Sequence, residues 1–210
     1  MKASRSRLEE KIVMHSSPVL LGIKPSNLFN FSCEDEDSNI MHKHISSCSE
    51  KLVKNDVHLH ILHKNRAKAQ LLIYRKDLLF HAINQPRTAS YLKSCGYNTK
   101  SVHESIELLG QRISEAKNSC GKNRAKKFPH EVGFFLGYPF EDVIGFIENK
   151  GGNFACCGKW KAYHNEKCAQ ETFCEYKKCT EIFCDLHKRG CGLDKLSCIR
   201  TLPVQNASSY

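Results

Sequence analysis

Residues 128–152 have the sequence Phe128-Pro-His-Glu-Val-Gly-Phe-Phe-Leu-Gly-Tyr-Pro-Phe-Glu-Asp-Val-Ile-Gly-Phe-Ile-Glu-Asn-Lys-Gly-Gly152, which predicts two crossed helices. Pro129 suits the first position of a helix, where its missing amide N–H is not needed. Gly137 can end that helix in a left-handed conformation. Pro139 then begins a second helix, and Gly133 is the small residue at which the helices approach. Residues 129–149 are therefore predicted to form a helix-turn-helix-like pair.

Such a pair makes a basic nucleic-acid-binding module one alternative function. A helix that reads DNA must present hydrogen-bond donors or acceptors to the base edges. The second helix would instead present Phe140, Glu141, Asp142, Ile144 and Gly145. Because carboxylates repel phosphate and glycine makes no base contact, sequence-specific DNA binding is not expected.

Length and composition predict one α/β domain. The chain has 210 residues, of which 40% are hydrophobic, and a net charge of +10 that favours anionic partners. We expect the domain to cover residues 1–198, with a lead-in at 1–14 and a flexible tail at 199–210. The only dense basic run, at 122–127, is expected to be a solvated loop.

The sequence also favours a cytoplasmic location. No apolar run approaches the roughly 20 residues that a membrane-spanning helix needs, and the N-terminus lacks the apolar core of a secretory signal. We expect no membrane partner, and we expect the 12 cysteines to be reduced thiols.

Periodicity along the chain predicts a small mixed sheet of about four or five strands with surrounding helices. Strands are expected at 18–23, 57–63, 69–74 and 159–163. Helices are expected at 38–54, 76–83 and 89–95, from Ser101 onward, and over 165–189, each with an apolar stripe or a capping residue.

Polar residues follow the first of these strands. Loop residues at the end of a strand often contact a ligand in α/β sheets, so Lys24, Ser26 and Asn27 are candidates for binding a small anion. The alternative is a plain turn in which Ser26 caps a helix.

Two histidine-containing pairs are candidates for catalysis. His130 beside Glu131 can act as an acid–base pair. If His15 and Ser16 lie near that pair, the four residues suggest a Ser/Cys-His hydrolase as a further alternative function. No Gly-x-Ser-x-Gly motif supports that activity. Glu131 can also serve only to counter the dipole at a helix start. The sequence leaves open whether the protein is an enzyme.

Eight cysteines lie in the C-terminal part, where a zinc or iron site is conceivable. No Cys-x-x-Cys pair is present. Cys184, His187 and Cys191 share one helical face, and Cys157 or Cys198 would be a fourth ligand. The alternative is that these cysteines act as small hydrophobic residues.

Three segments carry a family resemblance: His15-Ser-Ser-Pro-Val-Leu-Leu-Gly-Ile-Lys-Pro-Ser-Asn-Leu-Phe29, Phe128-Pro-His-Glu-Val-Gly-Phe-Phe-Leu-Gly-Tyr-Pro139 and Gly158-Lys-Trp-Lys-Ala-Tyr163. The chain resembles a bacterial domain-of-unknown-function family of anaerobic Gram-positive bacteria. The resemblance spans roughly residues 11–196 and implies no established activity. Members of that family often carry a cysteine after the first histidine, where this chain has Ser16.

Taken together, these patterns favour a small-ligand or metal-handling protein. Its pocket would be built from residues 15–27 together with His130 and Glu131, and its ligand would be a small anion or a metal ion.

Overall fold

The computed structural model describes residues 7–32, 38–65, 68–118 and 128–199. The helices are α1 (Arg7–Leu21), α2 (Ser38–Val53), α3 (Lys76–Ile83), α4 (Pro86–Ser94), α5 (Val102–Asn118), α6 (Val132–Phe135), α7 (Phe140–Glu148), α8 (Glu166–Lys188) and α9 (Leu193–Cys198). The strands are β1 (Ser26–Ser32), β2 (Val57–Lys64), β3 (Lys68–Arg75), β4 (Cys156–Cys157) and β5 (Lys161–Ala162).

The main sheet has three antiparallel strands in the order β1-β3-β2. β4 and β5 form a separate two-stranded antiparallel hairpin. The expected α/β fold is therefore confirmed, but the strands do not form one mixed sheet. They divide between a three-stranded sheet and a short hairpin.

Helices cover both faces of the main sheet because its strands alternate in side-chain direction. On β3, Leu71 and Ile73 pack into a core with α1, α2, α8 and α9. Leu72 points to the opposite face, into a second core with α3, α4, α5, α6 and α7. The domain therefore has three layers, with the sheet in the middle.

The prediction of a strand at 18–23 is wrong, because α1 continues to Leu21. Ser16 has non-helical dihedral angles and divides α1 at a kink, so that Pro18 lies in the first turn after it. A proline is tolerated there because its missing N–H has no helical acceptor. Gly22 then ends the helix with φ of 87°, and the strand begins at Ser26, in the segment that was expected to be a turn.

The central stretch forms a single helical turn, α6, followed by α7. Gly137 between them has φ of 74°, a left-handed conformation that glycine adopts readily. A Cβ on Gly137 would lie 2.5 Å from Pro25 Cγ, and one on Gly133 would lie 2.8 Å from Val143 Cγ2. Both glycines thus permit close packing, while the likeness of α6 and α7 to a helix-turn-helix pair stays a prediction.

Within the described part of the chain, no helix is long and apolar enough to cross a membrane. Residues 7–14 of the expected lead-in form the first part of α1. The basic run at 122–127 and residues 200–210 of the expected tail lie outside the described residues.

Candidate functional site

Lys24 lies in the loop between α1 and β1, and its side chain is buried. The residue is only 5% exposed. Its Nζ donates a hydrogen bond of 2.7 Å to Asn27 Oδ1. Asn27 Nδ2 in turn donates to the backbone carbonyl of His15 at 2.9 Å, so Asn27 is fixed in the orientation that holds the amine.

Two tyrosine rings flank the amine of Lys24. Its Nζ lies 5.4 Å from the ring centroid of Tyr138 and 5.8 Å from that of Tyr176. An ammonium is attracted to the face of an aromatic ring, which offsets part of the cost of burial. No carboxylate lies within ion-pair distance of Lys24 among the described residues.

A second lysine adds positive charge beside this amine. Lys159 is exposed, and Tyr138 donates a hydrogen bond of 3.4 Å from its hydroxyl to the Lys159 carbonyl. Burial, and then the charge of Lys159, lower the pKa of Lys24 to about 8. The pKa of His15 is also lowered, first by burial and then by Lys11 and Lys159. Together His15, Lys24, Asn27, Tyr138, Lys159 and Tyr176 form what we call the Lys24 site.

The third residue predicted to bind an anion, Ser26, has a different role. It is fully buried, and its hydroxyl donates a hydrogen bond of 2.7 Å to the carbonyl of Phe135 at the end of α6. The structure therefore brings Lys24 and Asn27 together, while Ser26 fastens the start of β1 to the central stretch.

Ser16 lies at the kink of α1 and is also fully buried. Its hydroxyl has no hydrogen-bond partner in the part of the chain that the structure describes. A serine nucleophile needs a histidine within hydrogen-bond reach. That contact is not formed here by His15 or His130, so the hydrolase hypothesis gains no geometric support.

His130 and Glu131 have separate surroundings. Glu131 accepts a hydrogen bond of 3.0 Å from the Tyr97 hydroxyl and forms an ion pair of 2.8 Å with Arg112. His130 lies against the rings of Phe128 and Phe146, at centroid distances of 5.5 and 5.1 Å. Glu131 therefore fastens α6 to α5, while His130 lines a cavity whose aromatic walls are Phe128, His130, Tyr138, Phe146 and Trp160. We call this space the aromatic cavity; His15 is not among its lining residues.

The residues predicted to hold a metal do not converge. Across the described ranges, no three His, Cys, Asp or Glu side chains are placed to bind a metal ion. His187 is buried, and its Nδ1 lies 2.9 Å from the Cys191 carbonyl oxygen. The zinc or iron site at Cys184, His187 and Cys191 stays a prediction without geometric support.

The face of α7 that a DNA reader would expose is partly covered by the protein itself. Arg87 of α4 lies over the ring of Phe140 at 4.2 Å and pairs with Glu141. A Cβ on Gly145 would lie 2.6 Å from Tyr163 Cγ, so the β4–β5 hairpin packs against the same helix.

The sequence pattern did not identify Asp142 as the residue that holds the β4–β5 hairpin against α7. Its carboxylate accepts hydrogen bonds of 2.7 Å from Trp160 Nε1, 2.7 Å from the Tyr163 N–H and 3.2 Å from the His164 N–H. The Trp160 ring then stacks on Tyr138 at 5.0 Å. The chain contains a single tryptophan, and that rarity, together with its place in the segment 158–163 that carries the family resemblance, could have drawn attention to position 160.

Comparison with known proteins gives a family and no activity. Neither the curated proteins nor the solved structures include a match to this chain. Residues 12–197 match the family described as "Protein of unknown function (DUF3793)". That range includes the Lys24 site and the aromatic cavity. The chain therefore belongs to this family of proteins of unknown function.

Proposed function

We propose that this protein binds a small anionic ligand, a carboxylate or a phosphate, at the Lys24 site. The observation that carries the proposal is a buried lysine with no carboxylate in ion-pair distance among the described residues. Burying a charge is costly unless it is paired, and a ligand anion would supply the missing pair. Because the protein's structure and family assign no reaction, the proposal concerns binding.

The hydrogen bonds of Lys24 support this proposal. An ammonium has three N–H donors, and in the described structure only one of them has an acceptor, Asn27 Oδ1. An oxygen of the ligand would accept from another. Because the surroundings are apolar and aromatic, this charged hydrogen bond would be stronger than one in water.

The charges near the amine support an anion rather than a cation. Lys159 is exposed and lies close enough to lower the pKa of Lys24, and Lys11 and Lys159 both lower the pKa of His15. Several lysines close together raise the local concentration of anions.

Binding should depend on pH in a defined direction. Lys24 must carry its proton to hold an anion, and its pKa is about 8. Affinity should therefore be highest below pH 8 and should fall as the pH rises above it. A bound anion stabilises the ammonium and raises its pKa, so binding near pH 8 should be accompanied by proton uptake.

Calorimetric titration with inorganic phosphate and with acetate at pH 7 and pH 9.5 tests this function. We expect saturable binding at pH 7 that is weakened at least tenfold at pH 9.5 and is lost in Lys24→Met. Lys93→Met removes an exposed lysine from α4 and is the matched control for net charge. Equal binding by wild type and Lys24→Met, or no saturable binding of either anion, would refute the proposal.

A further inference from the structure

The aromatic cavity is a second feature with the properties of a ligand site. It has a volume of about 290 Å³ and lies between α6, α7 and the β4–β5 hairpin. Its rings are held in place by one another: Tyr138 stacks on Trp160 at 5.0 Å, and His130 contacts Phe146 at 5.1 Å. Small-molecule sites are usually concave and mostly apolar, with few polar groups that orient the ligand.

The charged side chains at this cavity are already engaged with the protein. Both oxygens of Asp142 accept hydrogen bonds, from Trp160 and from the N–H groups of Tyr163 and His164. Lys161 donates a hydrogen bond of 2.6 Å to the Gly151 carbonyl. Asp142 is therefore satisfied, whereas Lys161 keeps two N–H donors without an acceptor in the described structure.

His130 differs from these residues. Neither of its ring nitrogens has a hydrogen-bond partner among the residues that the structure describes, and its ring lines the cavity. A neutral imidazole has one N–H donor and one acceptor nitrogen. His130 can therefore accept a hydrogen bond from a ligand or donate one to it.

We propose that the aromatic cavity binds a planar heteroaromatic molecule, which packs among Tyr138, Phe146 and Trp160 and forms a hydrogen bond with His130. The volume admits a one- or two-ring molecule. Flat aromatic walls favour a flat ligand, since aromatic rings prefer offset-stacked and edge-to-face contacts.

This site is distinct from the Lys24 site. Lys24, His15 and Asn27 do not line the cavity, and Tyr138 is the residue common to both sites. Loss of anion binding at Lys24 would therefore leave heteroaromatic binding in place, so the two proposals can fail separately.

Trp160 provides the assay, since it is the only tryptophan in the chain and lies in the cavity wall. Titrations with adenine and with benzimidazole, followed by emission on excitation at the red edge of the tryptophan band, should show saturable quenching. Cyclohexanol is a non-planar apolar control and should produce none. No saturable change with either heteroaromatic compound would overturn the proposal, as would equal binding of cyclohexanol.

Two variants test the role of His130. His130→Phe keeps an aromatic ring but removes both nitrogens, and it should weaken adenine binding at least tenfold. His103→Phe is the matched control on α5, where the side chain is 78% exposed, and it should bind as the wild type does. Unchanged affinity in His130→Phe would show that His130 does not bind the ligand. The wild-type titrations decide the ligand class even if His130→Phe does not fold.

Discussion

Lys24→Met should stabilise the protein at neutral pH, although it removes the residue on which the proposed function depends. Methionine retains an unbranched apolar side chain and lacks the ammonium. The ordinary pKa of a lysine is 10.5, and that of Lys24 in the folded protein is about 8. A difference of this size corresponds to about 3 kcal/mol by which burial disfavours the charged form.

Part of this gain is offset in the variant. Asn27 Oδ1 loses the donor that it has in the wild type, which costs about 1–2 kcal/mol for a partly buried acceptor. The net increase in the free energy of unfolding at pH 7 should therefore be about 1–2 kcal/mol. For a chain of this length that raises the Tm by about 2–8 °C.

The pH dependence of this difference has a fixed sign. Between pH 8 and 10.5 the unfolded chain keeps the Lys24 proton that the folded chain has lost, so the wild type gains stability with rising pH relative to the variant. The advantage of Lys24→Met should be complete below pH 8 and should disappear at about pH 9, since it falls by roughly 1.4 kcal/mol for each pH unit above 8. By about pH 10.5 the variant should be the less stable protein, because Asn27 Oδ1 still lacks its donor.

Urea unfolding followed by Trp160 emission, under reducing conditions and from pH 7 to 10.5, measures both quantities. Both proteins contain the same tyrosines and cysteines, so the effect of their titration cancels in the difference between the two free energies of unfolding. Lys93→Met should differ from the wild type at no pH. The reasoning is refuted if Lys24→Met is less stable than the wild type at pH 7, or if the difference between them does not change with pH.

Three further predictions concern other parts of the structure. Gly137→Val should lower the free energy of unfolding by about 3 kcal/mol or more, because valine at this position is strained by the positive φ and its side chain would clash with Pro25. His130→Ala should lower it by less, and thermal melts of the two variants measure the difference. Glu131→Ala should cost about 2–3 kcal/mol in urea unfolding, since it removes the acceptor of the Tyr97 hydroxyl and the carboxylate partner of Arg112. Glu148→Ala, at an exposed position, is the control and should cost little. Duplex DNA should bind weakly, without sequence preference and less tightly as salt rises, and a sequence-selective footprint at physiological salt would contradict this.

Much of the fold could be predicted because its signals are local. The hairpin of β2 and β3, the helix α3 and the helix α8 follow alternation, helical periodicity and the capping residue Asn165. The segment 18–23 could not be predicted, because a short apolar run does not distinguish a strand from a buried helical turn. The structure has a kink at Ser16, which places Pro18 in a first helical turn, where proline is tolerated.

The candidate site shows the same limit. Lys24 and Asn27 were predicted together because they are three residues apart, and the structure joins them by a hydrogen bond. Tyr138, Lys159 and Tyr176 come from segments more than 100 residues away in sequence, so only tertiary contacts bring them to Lys24. The hydrogen bond of Ser26 could not be predicted for the same reason, since its partner Phe135 is distant in the chain.

The loop that carries Lys24 also keeps the charge of this lysine buried. A surface lysine can extend its amine into water along a flexible stem. Here the next residue, Pro25, packs against Gly137 and accepts a hydrogen bond of 2.9 Å from the Arg75 N–H. Ser26 is bonded to Phe135, and the Lys24 N–H donates to the Pro18 carbonyl at 3.2 Å. Since the backbone is fixed on both sides of Lys24, the amine cannot reach water by moving the loop without breaking these contacts. The fold thus holds a lysine in a place that lowers its pKa, and the anion binding proposed above would offset the cost of burying its charge.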